Sequence, residues 1–194
     1  MPLLRPSLLL SAFAGLIAVT SVNVIAADSV PRDRILFTAD WRFQKDDPAG
    51  IGEALSYDQL KPWLLPSAAA FVATPSARPA GKAPGEDLAC AQPAFDDSAW
   101  RKLDLPHDWG VEGPFDQALP GETGKLPWHG VAWYRKTFDL PASDRDRVIA
   151  LEIDGAMSHS AVWCNGRLVG GWPYGYSSYQ LDLTPYLKPG ARNT

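Results

Sequence analysis

Four carboxylic acids lie close together along one stretch of the chain and are the first residues to consider for chemistry: Asp108, Glu112, Asp116 and Glu122. Hydrolysis of a glycosidic bond with retention of configuration needs two carboxyl groups roughly 5 Å apart, one as nucleophile and one as acid and base. A loop rich in Gly and Pro does not hold two carboxylates at a fixed distance without a supporting scaffold. We therefore interpret Asp108 as a cap of backbone amides and the others as solvated, and we predict no catalytic residue in this chain.

His107 precedes Asp108, and such pairs also occur in hydrolytic triads. Neighbouring side chains of an extended chain point in opposite directions, and no serine lies in a Gly-x-Ser-x-Gly turn. The sequence also has no Gly-rich phosphate loop followed by lysine. We expect His107 to be structural and nucleotide binding to be unsupported.

Carbohydrate binding is the chemistry that the residue types favour. An aromatic ring packs against the C–H face of a pyranose, and nearby polar side chains bond its hydroxyl groups. Seven residues in predicted loops are our candidate carbohydrate contacts: Asp108, Trp109, Trp128, His129, Trp172, Tyr174 and Tyr176. Each aromatic residue has an alternative role in packing within the domain or against a neighbouring one.

β-Strands must position these loops, because apolar and polar residues alternate along much of the chain. The strict alternation from Val131 to Leu140 predicts one strand. Further strands are predicted from Ile35 through Phe43 and over 148–153, 158–164, 167–172 and 178–183. No stretch predicts an amphipathic helix of three turns, so we expect an all-β fold, a β-sandwich.

Three turns carry recognisable local chemistry. Asn165-Gly166 predicts a type I′ hairpin, in which both residues take a positive φ. Thr184–Leu187 predicts a single capped helical turn with Pro185 at its first position. In Phe95–Trp100, Asp97 or Ser98 can bond nearby backbone and leave the two aromatic residues to pack.

Residues 46–94 differ from the rest, because they are rich in Pro and Gly and contain the run Ala68–Ala70. Proline removes backbone donors and interrupts sheet ladders, so this stretch predicts an irregular loop insertion. Within it, Leu60–Leu65 with Trp63 is expected to form a short apolar patch that docks on the domain.

Several segments resemble a known family in their order and spacing. They are Leu105–Trp109, Gly113–Asp116, Trp133–Phe138, Val162–Arg167, Tyr174–Tyr176 and Asp182–Leu187. Together they resemble the N-terminal sugar-binding domain of family 2 glycoside hydrolases, above all the β-galactosidases. The resemblance covers roughly Ile35 to Thr194 and is poorest in the Pro-rich stretch.

This resemblance implies a galactose-binding-like jelly-roll β-sandwich with a long Pro/Ala-rich loop insertion. It implies a non-catalytic accessory domain, whose partners are a β-galactoside-like carbohydrate and downstream domains of the same enzyme. The catalytic glutamates would lie beyond this chain, which we expect to be a fragment with an incomplete C-terminal strand. No metal site is carried over, because Trp172–Tyr176 has no carboxylate, and no cofactor is expected.

Other interpretations stay open. The chain could be a free-standing carbohydrate-binding module, the same domain of a β-glucuronidase or β-mannosidase, or a structural or adhesion domain. Its 18 basic and 22 acidic residues give a net charge of −4. That balance offers no broad positive field for nucleic acid or anionic lipid.

Residues 1–27 predict an export signal, followed by a mature domain over 28–194. Arg5 gives a basic start, Leu8–Val19 an apolar run, and Val24–Ala26 a cleavage site. The apolar run is shorter than the roughly 20 residues that span a bilayer. We therefore expect a periplasmic or secreted protein with no membrane attachment after cleavage. Export also leaves a Cys90–Cys164 bridge open, although we expect Cys164 to be buried and reduced.

The mature chain should begin at Ala27 or Asp28, because signal peptidase reads the small residues before that point. Amino-terminal sequencing of the exported protein checks this expectation. An exported protein that still begins with Met1 would contradict it.

Overall fold

A computed structural model of the chain describes residues 32–67, 77–127 and 130–194. Met1–Leu36 groups as one unit and Phe37–Thr194 as a second, larger one. The strands and the helix lie in the second unit. The predicted signal segment, the run Ala68–Ala70 and the candidates Trp128 and His129 lie outside the described residues.

The described residues of this unit consist mainly of short β-strands. They are β1 Trp41–Lys45, β2 Arg101–Leu103, β3 Ala132–Arg135, β4 Phe138–Leu140, β5 Ala150–Ile153, β6 Ser160–Cys164, β7 Arg167–Trp172, β8 Tyr179–Asp182 and β9 Ala191–Asn193. A helix, α1, spans Tyr57–Leu64. All strand pairs are antiparallel: β2-β1-β3 form one sheet, and β4-β9, β5-β8 and β6-β7 form pairs. The predicted all-β sandwich class is confirmed.

Two strand predictions were wrong in detail. The first strand begins at Trp41 and not at Ile35, which is 81% exposed. Asp40 precedes the strand with a φ of 59°, a left-handed conformation that interrupts an extended chain. The alternating stretch from Val131 to Leu140 is two strands, because the ladder changes partner from β1 to β9.

The Asn165-Gly166 turn has the predicted positive φ values of 52° and 82°. The side-chain amide of Asn165 also reaches β9, where its Nδ2 atom donates to Asn193 Oδ1 at 2.8 Å. Asn193 is fully buried, and its amide also bonds the backbone of Lys188 and Ala191. A buried amide is tolerated only when its donors and acceptors are satisfied. This network therefore fixes the hairpin against the last strand.

The insertion contains a helix, which corrects the prediction of irregular structure for Tyr57–Leu64. Pro62 lies inside the helix and removes one hydrogen bond, at a cost of about 3 kcal/mol. Leu60 and Leu64 are buried against Ala83 and Leu168. Each buried leucine contributes about 1.5–3 kcal/mol, so packing offsets the proline. The predicted docking of an apolar patch on the domain is confirmed.

Arg135 joins the end of the insertion to β3. Its side chain is 6% exposed, and Nε donates to Asp97 Oδ2 at 2.8 Å. Its terminal nitrogens donate to the carbonyl oxygens of Cys90 and Pro93 at 3.2 and 3.4 Å. Asp97 is therefore occupied by Arg135, with Arg42 Nε a further 3.8 Å from its Oδ1 atom, and Asp96 instead accepts from Ser98 N in the turn.

The aromatic residues of that turn pack as predicted, with ring centroids of Phe95 and Trp100 5.6 Å apart. A second contact with the insertion comes from Trp163, whose indole donates to Pro84 O at 3.0 Å.

Both cysteines are buried and free, so the bridge that the sequence left open is absent. Burial raises the pKa of Cys164 to about 11, which keeps its thiol protonated at neutral pH.

Replacing Gly166 with Val should destabilise the domain by about 1–3 kcal/mol, because a β-branched residue is strained at positive φ. A Cβ atom at this position would also lie 2.6 Å from Gln92 Oε1. Chemical denaturation measures the effect. Gly121→Val is the matched control, because a Cβ there meets nothing within 4 Å. Equal denaturation midpoints for the two variants would contradict the turn's role.

Candidate functional site

The loop that follows β2 carries the first candidate contact, Asp108. Asp108 Oδ1 accepts a hydrogen bond from Gly110 N at 2.9 Å and so caps the 3-10 turn Trp109–Val111. The predicted capping role is confirmed. The side chain is nevertheless exposed, so the carboxylate is both held by the backbone and open to solvent.

A cluster of polar side chains holds this loop in place. His107 Nδ1 lies 2.8 Å from the Tyr134 hydroxyl, and Nε2 lies 2.9 Å from Glu112 Oε1. Arg101 donates to the same carboxylate through both terminal nitrogens, Nη2 to Oε1 and Nη1 to Oε2, the latter at 3.0 Å. Phe43 packs edge-on to the imidazole, with ring centroids 4.7 Å apart. His107 is thus structural, as predicted.

The expectation that Glu112 is only solvated was wrong. Hydrogen bonds from Arg101, and then from His107, lower the pKa of Glu112 to about 2. Burial raises the pKa of Tyr134 to about 12, so its hydroxyl stays protonated and available to His107. Asp116 accepts from Ala118 N at 2.9 Å in a turn of its own. The structure therefore gives Glu112 an ion-pairing role and Asp116 a turn-capping role.

Trp109 is partly buried beside this loop. The Lys45 ammonium lies 4.9 Å from the centre of its ring. Gly130 lies close to the six-membered ring of the indole, because a Cβ there would lie 3.2 Å from the Trp109 Cη2 atom. Trp109 therefore packs against the end of β1 and the start of the β3 segment, and part of its ring serves that packing.

The candidates after β7 have two different environments. Trp172 stacks on Tyr179 at 6.2 Å and donates to Ser177 Oγ at 2.7 Å, so packing within the domain occupies it. Tyr174 and Tyr176 are 59% and 77% exposed, with centroids 5.7 Å apart. These two tyrosines are the aromatic residues that the structure leaves open to a ligand in this loop.

Gly175 holds the two tyrosines in place. It is buried, and a Cβ there would lie 2.5 Å from Met157 Sδ and 2.9 Å from the Met157 Cα. The loop before β6 can therefore approach only a glycine. Met157 is itself 61% exposed beside the tyrosines, and no motif in the sequence indicated its position.

Side-chain contacts connect β3 to β6. Trp133 stacks on Trp163 at 5.5 Å. Arg135 bonds Pro93 O, and the adjacent Gln92 lies against Gly166, which follows β6. At the start of β6, Ser160 Oγ donates to Trp172 O, next to the loop that carries Tyr174 and Tyr176.

The sequence did not indicate the groups that hold the Asp108 loop. Arg101 and Tyr134 lie 11 and 27 positions from their partners Glu112 and His107. Among the described residues, no group of three or more His, Cys, Asp or Glu side chains could hold a metal ion. Within 32–67, 77–127 and 130–194, no helix is long and apolar enough to cross a membrane.

No family model matches the chain. It is 51% identical over 106 residues to β-galactosidase BoGH2A of Bacteroides ovatus, which covers 54% of this chain and 12% of that protein. It is 41% identical over 101 residues to a putative β-glucuronidase of Formosa agariphila, covering 52% and 10%. The chain thus spans about an eighth or less of these relatives.

Solved structures agree with the sequence matches. A family 2 glycosyl hydrolase from Bacteroides cellulosilyticus is 28% identical with a TM-score of 0.51. A β-glycosidase from Bacteroides vulgatus is 30% identical with a TM-score of 0.56. Each match covers 81% of this chain and 16% of the solved chain. The resemblance to family 2 glycoside hydrolases is confirmed in both sequence and fold.

Low pH should lower the folding stability of the domain, partly through protonation of Glu112. Its pKa is lowered in the folded state, so its contribution to stability is present above the ordinary value of 4.5 and is lost as pH falls towards about 2. Glu112→Gln should therefore show a smaller loss of thermal stability over that range than the wild type. Glu122→Gln, outside the cluster, is the control. An unchanged pH dependence in Glu112→Gln would contradict the ion pair.

Proposed function

We propose that this chain is the non-catalytic sugar-binding domain of an exported, retaining family 2 glycosidase that acts on β-galactosides. The 51% identity to a β-galactosidase over 106 residues, 54% of this chain, is the observation that carries the proposal. Export to the periplasm or the medium is supported by the signal-like segment 1–27. The two carboxyl groups that cleave the bond would come from another domain of the same polypeptide.

In this role the chain positions sugar without reacting with it. Asp108 accepts hydrogen bonds from sugar hydroxyl groups, because its carboxylate is exposed while the cap to Gly110 fixes its direction. Tyr174 and Tyr176 offer exposed rings to the C–H face of the sugar. The cluster of Arg101, Glu112 and His107 keeps the Asp108 loop rigid, which preserves the geometry that binding requires.

A β-glucuronide is the second candidate substrate for the whole protein. The match to a putative β-glucuronidase favours it, and so does the Lys45 ammonium beside Trp109. A glucuronide carries a carboxylate that a nearby lysine can pair with. Kinetics of the whole protein and of its Lys45→Met variant on both glycosides separate the two. The β-galactoside assignment requires that Lys45→Met leave galactoside hydrolysis unchanged.

A domain exchange tests the proposal. The segment of BoGH2A that matches this chain is replaced by the corresponding residues of this chain, and hydrolysis of a chromogenic β-galactoside is measured. The chimera should be active, and this chain alone should be inactive. Asp108→Ala in the chimera should lower kcat/KM about 10- to 100-fold, the loss of a charged hydrogen bond. Asp108→Asn should recover part of the loss, because it keeps an acceptor.

Asp116→Ala is the control for this exchange, because Asp116 caps a neighbouring turn. Melting curves of every variant separate a folding defect from a loss of sugar contact. A folded, active chimera in which Asp108→Ala has no effect on kcat/KM would refute the proposed contact. Turnover by the chain alone would refute its non-catalytic role.

A further inference from the structure

A groove of about 420 Å³ opens between the insertion and strand β8. Trp63 and Arg78 form its wall on the insertion side. Gln180, Leu181 and Asp182 line it from β8, and Tyr186 also contributes to the lining. A volume of this size falls within the range of small-ligand sites, roughly 300–1,000 Å³.

The wall of the groove is fixed to the sheet. Gly170 in β7 allows the close approach of Ser67, because a Cβ at Gly170 would overlap the serine hydroxyl. Leu64 in α1 is fully buried, which anchors the helix that carries Trp63. The groove is therefore a built feature of the packed insertion.

Arg78 is held in one orientation at the centre of the wall. Its Nη1 donates to the Tyr186 hydroxyl at 2.7 Å, and Nη2 donates to Leu168 O. Its guanidinium lies 5.6 Å from the centre of the Trp63 ring. In the described part of the chain its Nε atom is buried without a hydrogen-bond partner. An arginine bonded to neutral oxygens retains its full positive charge beside the groove.

The opposite side of the groove carries an acid and an amide. Along β8, Tyr179 and Leu181 are buried and Gln180 and Asp182 are exposed, so these polar side chains face outward. Asp182 Oδ1 accepts from Thr184 N at 2.9 Å, which orients the carboxylate. The groove is thus lined by one cation, one anion, one amide and two aromatic rings, and the Arg167 guanidinium lies 4.8 Å from the centre of the Tyr186 ring.

We propose that this groove binds a neutral pyranose of a carbohydrate chain, with its C–H face against Trp63. Arg78, Gln180 and Asp182 would then bond its hydroxyl groups, since planar polar side chains provide both donors and acceptors. An apolar ligand fits less well, because it would desolvate two charged groups without a hydrogen bond. A uronic acid gains no net attraction, because its carboxylate would meet Asp182 as well as Arg78 in the lining. The groove shares no lining residue with the loop that carries Asp108, so this site goes beyond the proposed function.

Ligand-detected NMR titration of the full chain with methyl β-galactoside and a β-linked galactobiose tests the site. The double variant Gln180→Ala/Asp182→Asn changes exposed groups and keeps the acceptor that caps Thr184. Its Kd should rise about fivefold or more, as expected for the loss of one to two hydrogen bonds. Asp146→Asn, an exposed acid outside the groove, is the matched control and should leave Kd unchanged. Trp63→Ala should abolish binding, with its melting curve as the folding check.

Several results would overturn the site. They are the absence of binding by the wild type, an unchanged Kd in the double variant, or tighter binding of methyl β-glucuronide than of methyl β-galactoside. Loss of binding in Trp63→Ala alone would place the sugar in the hollow on the other side of Trp63, lined by Gln59 and Lys82, and would also overturn it. Loss of binding in Asp108→Ala would move the sugar to the Asp108 loop, so the groove would fail while the proposed function stood.

Discussion

The buried guanidinium of Arg135 is the interaction on which the arrangement of the domain depends. A charge that is almost wholly removed from water is stable only when its partners are held in place, and breaking such a pair costs about 3–5 kcal/mol. The partners here are Asp97 and two backbone carbonyls at the end of the insertion. Their presence fixes the insertion against β3. The same strand carries Trp133, which stacks on Trp163, and Tyr134, which bonds His107.

The rigidity of the Asp108 loop depends on β3, the strand that carries Arg135. Tyr134 presents its protonated hydroxyl to His107, which with Arg101 holds Glu112 and so closes the loop around Asp108. The loop that carries Tyr174 and Tyr176 is fixed differently, by the close approach of Met157 to Gly175. Both loops thus leave polar or aromatic groups exposed on a fixed backbone. Such exposed groups on rigid supports are what recognition of a sugar requires, because a sugar is bound by many weak directional contacts.

Local chemistry was predictable from the sequence and distant pairing was not. The Asn165-Gly166 turn depends on two adjacent residues, and its positive φ values followed directly from their types. The helix over Tyr57–Leu64 was missed because Pro62 obscured a two-turn apolar face whose partner, Leu168, lies about a hundred residues away. Glu112 was assigned to solvent for the same reason, since neither Arg101 nor His107 is marked by its spacing as its partner.

A crystal structure of the BoGH2A chimera with a bound, non-hydrolysable galactoside analogue would show whether Asp108 contacts the sugar. A carboxylate oxygen of Asp108 should lie within about 3.2 Å of a sugar hydroxyl, with its other oxygen still bonded to Gly110 N. A bound analogue whose nearest hydroxyl lies more than about 4 Å from Asp108, beyond hydrogen-bond reach, would contradict it.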